Sequence, residues 1–215
     1  MHIVIFAGGT VRPGSAITAA LMRAEMVIAA DSGAVTASNY GYRPDLIVGD
    51  FDSLPAENYA RLAQVSRIER APVEKDETDT ELAVQLALEH GADEITLLGA
   101  LGGARFEHSI ANILLLVDVL VPLRIIDGPS ICWLIRGPAQ CIVQGHKDDL
   151  LSLFPLTADA TGIRTHGLYY ELHDEKLRFG RARGISNVLT ENEAEVSLES
   201  GLLLLIHTNK AELHE

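Results

Sequence analysis

The chain has 215 residues, 47% of them apolar, and a formal net charge of −13. That length and composition support a sizeable core and exclude a disordered chain. The acidity argues against general nucleic-acid binding, which needs a basic footprint.

The N-terminal stretch MHIVIFAGGT has no basic region, so it does not read as a signal peptide. The best apolar run, ILLLVDVLVPL, is cut by Asp118 and Pro122, and no membrane span is expected. Cys132 and Cys141 lie among apolar residues outside any metal-ligand spacing and read as small buried hydrophobes. These features together lead us to expect a cytoplasmic protein.

Taken in chain order, short β-rich runs appear at HIVIFA, MVIAA, DLIVG, SRIER, EITLLG and LRIID, separated by segments of helical character. The clearest helix is TDTELAVQLALEHG, where Thr78 and Glu81 form a capping-box pair, Leu82 and Leu86 share a face and Gly91 closes it. A second is EHSIANILLLVDVL, residues 107–120. This alternation predicts an α/β domain over residues 1–128, with a parallel sheet covered on both faces. After DGPS the pattern changes. ICWLIR, QCIVQG, LLSLFP, TGIRT, GLYYEL, KLRFG, AEVSLE and GLLLLIH follow one another without helices. They predict an antiparallel, all-β sandwich-like domain over residues 129–215.

Ligands of parallel α/β sheets bind outside the carboxyl ends of the strands. The loops at those ends are AGGT (7–10), ADSGA (30–34), GDFDS (49–53), EKDETD (74–79) and GALGGARFEH (99–108), each rich in glycine or aspartate. In extended backbone, residues two apart point the same way, so Asp50 and Asp52 can serve one point. Asp76 and Asp79 lie on the neighbouring loop. Carboxylates gathered in one crevice call for a cation, and all-oxygen ligands favour magnesium or calcium. Gly8, Gly9, Gly102 and Gly103 would let backbone N–H groups approach phosphate oxygens. Lys75 and Arg105 are the cations of these loops. No GxxxxGK[ST] or GxGxxG motif accompanies them. The residues therefore point to a metal-dependent enzyme acting on a phosphate or diphosphate. Structural roles stand beside these: Asp31 as a helix cap, Thr78 as an N-cap, Lys75 as partner of a nearby acid, and His108 with Asn112 as a pair four apart on one helix face.

DSGA, PDLIVGDFDS, EKDETDTELAVQLAL, GALGGARFEHSIANI and GISN (184–187) with GLLLLIH together resemble thiamin pyrophosphokinase, in order and over nearly the whole chain. The resemblance implies an N-terminal α/β domain and a C-terminal β-sandwich. It implies transfer of the diphosphate of ATP to the hydroxyethyl group of thiamin with release of AMP, Mg2+ as cofactor, and a homodimer that binds thiamin where the subunits meet. By motif, Asp50, Asp52 and Asp79 would hold magnesium. Lys75, Thr78, Asp79, Arg105 and His108 would meet ATP, and Ser186 and Asn187 thiamin. Asp31 would line the cleft, and the base that takes the hydroxyl proton is left open among Asp31, Asp50, Asp52 and Asp76. The chain departs from the family's G-G-R-x-D-H at Ala104 and Glu107, and Val188 stands where glutamate is common. Two rivals are a metal-dependent nucleotidyl- or glycosyltransferase, which shares Asp-x-Asp after a strand, and a non-catalytic nucleotide or thiamin sensor.

Overall fold

The computed structural model describes residues 1–51 and 56–213, and the chain divides into two units, Met1–Gly128 and Pro129–Glu215. The first unit alternates strands and helices: β1 (His2–Phe6), α1 (Ser15–Arg23), β2 (Met26–Ala30), α2 (Gly33–Asn39), β3 (Leu46–Gly49), α3 (Ala56–Leu62), β4 (Arg67–Arg70), α4 (Asp79–Glu89), β5 (Glu94–Leu98), α5 (Phe106–Asp118) and β6 (Leu123–Asp127). Its strands are ordered β6-β5-β1-β2-β3-β4, and every pairing is parallel.

Ile3, Val4, Ile5 and Phe6 of β1 are each 0% exposed. Successive strand residues face opposite sides, so full burial of all four means that both faces of the sheet are covered. The α4 helix forms where the capping residues place it. The Thr78 hydroxyl oxygen accepts from the Glu81 N–H at 3.1 Å, and Gly91, with φ 83°, takes the left-handed conformation that ends it. Because all the strands are parallel, their carboxyl ends share one rim. The chain adds strands outward from β1 to β4, then returns to place β5 on the other side of β1. Strand order therefore reverses between β1 and β5.

The second unit holds β7 (Ser130–Arg136), β8 (Ala139–Gln144), β9 (Leu150–Pro155), β10 (Asp159–His166), β11 (His173–Arg178), β12 (Asn187–Val188), β13 (Glu193–Leu198) and β14 (Leu202–Thr208). They pair antiparallel in two groups, ordered β12-β9-β14-β7 and β11-β10-β13-β8. Buried and half-exposed residues alternate along β9, as expected of strands with one face on a core. Leu151, Leu153, Ile163, Val196, Leu203 and Leu205 are at most 1% exposed and sit at the centre of that core. No helix among the described residues is long and apolar enough to cross a membrane.

One predicted strand is replaced by a turn. GLYYEL, residues 167–172, forms a bend whose one ladder contact is an isolated bridge, Leu168 to Leu189. Gly167 at φ 76° starts the bend. The Asn187 side chain then holds its middle: Oδ1 accepts from Tyr170 N–H at 3.0 Å, and Nδ2 donates to Tyr170 O at 2.7 Å. Leu168 and Leu172 are buried while Tyr169 and Tyr170 stand outside, a pattern that imitates strand alternation. Conversely, the GISN motif ends in β12, a two-residue strand paired with β9 that the sequence pattern does not announce.

Cys132 is buried, and burial pushes its thiol up to about 12, so it is an inert core residue. Asp149 is 2% exposed and organises the end of the chain. Its carboxylate accepts from His146 N–H at 2.8 Å, from Lys210 N–H at 2.9 Å and from His207 Nε2 at 2.9 Å. Burial alone raises the Asp149 carboxyl, but the Lys210 and His146 N–H groups and the His207 ring outweigh it and hold the group below its ordinary 3.8. A depressed carboxyl adds stability above its unfolded value and loses it as pH falls through the folded one. Asp149→Ala should therefore cost on the order of 2–4 kcal/mol at neutral pH. In thermal melts from pH 7 to pH 2, the gap between wild type and variant should narrow below about pH 4.

Candidate active site

A cavity of about 310 Å³ opens at the carboxyl rim of the parallel sheet, where strand order reverses. Its wall is built from the loop after β1 (Ala7, Gly8, Gly9), the loop after β2 (Asp31, Ser32), the start of α4 (Thr78, Asp79) and the loop after β5 running into α5 (Gly99 to Asn112). Two backbones meet at its floor: Gly9 N–H donates to Gly99 O at 2.9 Å. A Cβ on Gly9 would collide with Gly99 O and stand 2.8 Å from Leu101 O, and one on Gly99 would stand 2.8 Å from Gly9 O. These glycines are needed for loop-on-loop contact. The Gly9 N–H, expected to face a phosphate, is instead committed to that contact.

Asp31 is 8% exposed, with φ 46°. Its N–H donates to Val48 O at 2.8 Å and its carbonyl accepts from Ala34 N–H at 3.1 Å. Gly49 makes room for it, since a Cβ there would lie 3.1 Å from Asp31 Cβ. The N-cap of α2 is Ser32, so Asp31 precedes the cap, and its carboxylate borders the cavity.

At the start of α4, the hydroxyl oxygen of Thr78 is the N-cap acceptor. Its own hydrogen can still be donated toward the cavity. Asp79 follows in the first turn, with Oδ1 2.9 Å from Lys75 Nζ. Lys75 also donates to Pro72 O at 3.1 Å. Its ammonium is thus a support for Asp79, and among the described residues lining the cavity Lys75 is not included. Asp76 and Asp50 lie on the same rim outside the lining, and Asp52 lies outside the described residues.

Arg105 is the N-cap of α5 and lines the cavity with His108, Ser109 and Asn112. Asn112 is 4% exposed, and its Nδ2 donates to Ala100 O at 2.7 Å. Asn112 thereby ties α5 to the loop after β5, and His108 is left to face the cavity. Ser32 and Ser109 are wall residues that the sequence pattern did not single out. Arg12, in the loop after β1, is held away by Asp127 at 2.9 and 2.5 Å.

In the second unit, Ser186 has φ 55° and its N–H donates to Ser152 Oγ at 2.9 Å. The Asn187 amide is occupied by Tyr170, whose ring packs edge-on against Tyr169 at 4.8 Å. Both tyrosines are exposed, at 70% and 69%. This aromatic pair was missed because its alternation read as a strand; its one sequence signal is two adjacent tyrosines after a turn glycine. Of the five non-glycine residues with positive φ among those described, Asp31, Phe51 and Ser186 lie in the DSG, GDFD and GISN motifs. Strained backbone of this kind gathers at functional loops.

Residues 17–125 match the family model "Thiamin pyrophosphokinase, catalytic domain", and residues 140–203 match "Thiamin pyrophosphokinase, vitamin B1 binding domain". A thiamine pyrophosphokinase of Bacillus subtilis is 29% identical over 185 residues, spanning 84% of this chain and 86% of that protein. The crystal structure of the thiamine pyrophosphokinase from Bacillus subtilis aligns with a TM-score of 0.87 at 28% identity, covering 98% of this chain and 100% of that one. That of the thiamin pyrophosphokinase from Geobacillus thermodenitrificans aligns at 0.84 and 30% identity, covering 99% and 100%.

The glycine contact sets a stability test. Gly9→Ala forces two backbones apart and should cost about 1–3 kcal/mol. Gly8→Ala meets only the Ser32 Oγ, at 2.9 Å, which can rotate, and should cost less than about 1 kcal/mol. Urea unfolding of the two variants beside wild type checks the difference.

Proposed function

The chain belongs to the thiamin pyrophosphokinase family, and we propose that the cavity between the β1 and β5 loops holds the phosphates of ATP. The enzyme transfers the pyrophosphoryl group of ATP to thiamin, giving thiamin diphosphate and AMP. The observation that carries the assignment is the cavity at the point where strand order reverses, walled by Gly8, Asp31, Thr78, Asp79 and Arg105.

Magnesium fits this donor set. Asp79 offers a hard oxygen ligand at the cavity wall, and Asp50 stands on the same rim. Among the described residues no three His, Cys, Asp or Glu side chains converge. Magnesium takes one or two carboxylates and completes its shell with phosphate oxygens and water. We assign Asp79 and Asp50 to it; Asp52, the second aspartate of GDFDS, lies outside the described residues. Magnesium, when bound, offsets the charge that builds on the transferring phosphates.

The chain's own groups then position and neutralise. The Arg105 guanidinium takes phosphate oxygens, and the Thr78 hydroxyl donates one hydrogen bond while its oxygen caps α4. Lys75 acts one step back by holding Asp79. His108 completes the ATP side. For the hydroxyl proton of thiamin, Asp31 is favoured because, of Asp31, Asp50 and Asp76, it alone borders the cavity.

We place thiamin against Ser186 and the Tyr169–Tyr170 rings, in the region that matches the vitamin B1 binding model. Asn187 serves there by fixing Tyr170. In this reading the protein is a cytoplasmic homodimer and thiamin lies where the subunits meet.

Incubation with ATP, Mg2+ and thiamin should yield AMP and thiamin diphosphate in equal amounts, and chelation should stop both. A nucleoside diphosphate or free diphosphate in place of AMP would count against pyrophosphoryl transfer. Asp79→Asn should lower kcat by about a hundredfold or more, with an unchanged circular dichroism spectrum. Near-normal turnover in that variant would refute the metal assignment.

A further inference from the structure

Phe51 sits between Asp50 and Asp52 with φ 65°, a left-handed conformation that a bulky residue keeps only when its surroundings hold it. It is 8% exposed. Its ring lies 5.2 Å from that of Tyr59 on α3, tilted by 60°. The guanidinium of Arg70, the last residue of β4, lies over both rings, 5.7 Å from Phe51 and 5.8 Å from Tyr59.

The same strand grips the other side of Asp50 through its backbone. Arg70 pairs in register with Gly49, and Ala71 N–H donates to Gly49 O at 2.9 Å. Thus β4 holds the residue before Asp50 by its main chain and the residue after it by a cation–π contact. The cavity wall does not include Arg70, Phe51 or Tyr59. Their contacts bear on the loop and not on the wall.

We propose that Arg70 is a positioning residue for the Asp50 loop: stacked on Phe51 and Tyr59, it holds the left-handed turn that aims the Asp50 carboxylate along the rim. The inference rests on the reading of Asp50 as a metal-side carboxylate. A planar, weakly hydrated guanidinium can lie on two rings at once, whereas an ammonium keeps its water and makes a poorer stack. Released from the stack, the loop samples other conformations and the metal site is populated less often.

The test is Mn2+ binding in the presence of ATP and absence of thiamin, followed by electron paramagnetic resonance, alongside the Mg2+ concentration for half-maximal turnover. Arg70→Met should weaken Mn2+ binding by roughly three- to tenfold and raise the Mg2+ requirement in parallel. Arg70→Lys should fall between the two, and the KM for thiamin and the circular dichroism spectrum should not change. Phe51→Leu should reproduce the Arg70→Met effect, and the double variant should add little to it, because the two act through one contact. Wild-type Mn2+ binding in Arg70→Met would overturn the proposal, as would a loss of kcat equal at all metal concentrations. Asp50→Asn separates the two layers. If it weakens Mn2+ binding while Arg70→Met does not, only the positioning role fails. If it binds Mn2+ as wild type does, the metal reading fails and the proposal with it.

Discussion

Gly9 and Gly99 touch backbone to backbone, and the rim of the α/β unit is arranged around that contact. Parallel neighbours whose following loops turn opposite ways leave a crevice between them. Here the crevice has a floor because two residues without Cβ atoms let the loops meet across it. The loop after β5 is anchored a second time by Asn112, whose amide reaches back to Ala100 O. Arg105 and His108 inherit their positions from that anchor, since both belong to the first turn of the same helix or its cap. Side chain and main chain thus act in series: the glycine contact sets the loop, the loop sets α5, and α5 presents the cation.

An acidic chain that collects carboxylates on one rim has to keep them in place against their mutual repulsion. The rim does this by a different device at each position. Asp79 is held by the Lys75 ammonium. Asp31 is buried beside the small Gly49 and kept in a left-handed conformation by backbone bonds to Val48 and Ala34. The Asp50 loop is bracketed by Gly49 and Phe51, both gripped by β4. For Asp31 and the Asp50 loop the backbone is what is fixed, whereas for Asp79 the ion pair holds the carboxylate itself.

The β unit uses buried polar groups to similar effect. Asn187 is 7% exposed, and its amide shapes the bend that carries the Tyr169–Tyr170 pair outward. Asp149 gathers the 145–149 turn, the end of β14 and the start of the Lys210–Glu212 turn onto one carboxylate. Buried groups of this kind are costly unless satisfied. Asp149 is satisfied by backbone and ring N–H donors and Asn187 by the N–H and carbonyl of Tyr170, and both hold loops that the apolar core alone would leave undefined.

The sequence by itself determined the class of each unit, the parallel strands, the α4 and α5 helices and the rim loops rich in aspartate and glycine. These follow from local signals: apolar period, capping residues and turn glycines act over a few residues and survive in one dimension. It did not determine strand order, and so could not say that the β1 and β5 loops, 90 residues apart, enclose the cavity while the loop of Asp76 stands outside its wall. Nor could it separate Gly9 as a packing contact from Gly9 as a phosphate donor, or GLYYEL as a bend from GLYYEL as a strand. In each case the deciding partner, Gly99 or Asn187, is reached through space. Pairing energies between residues that the chain brings together only on folding are absent from local pattern, and tertiary structure alone decides them.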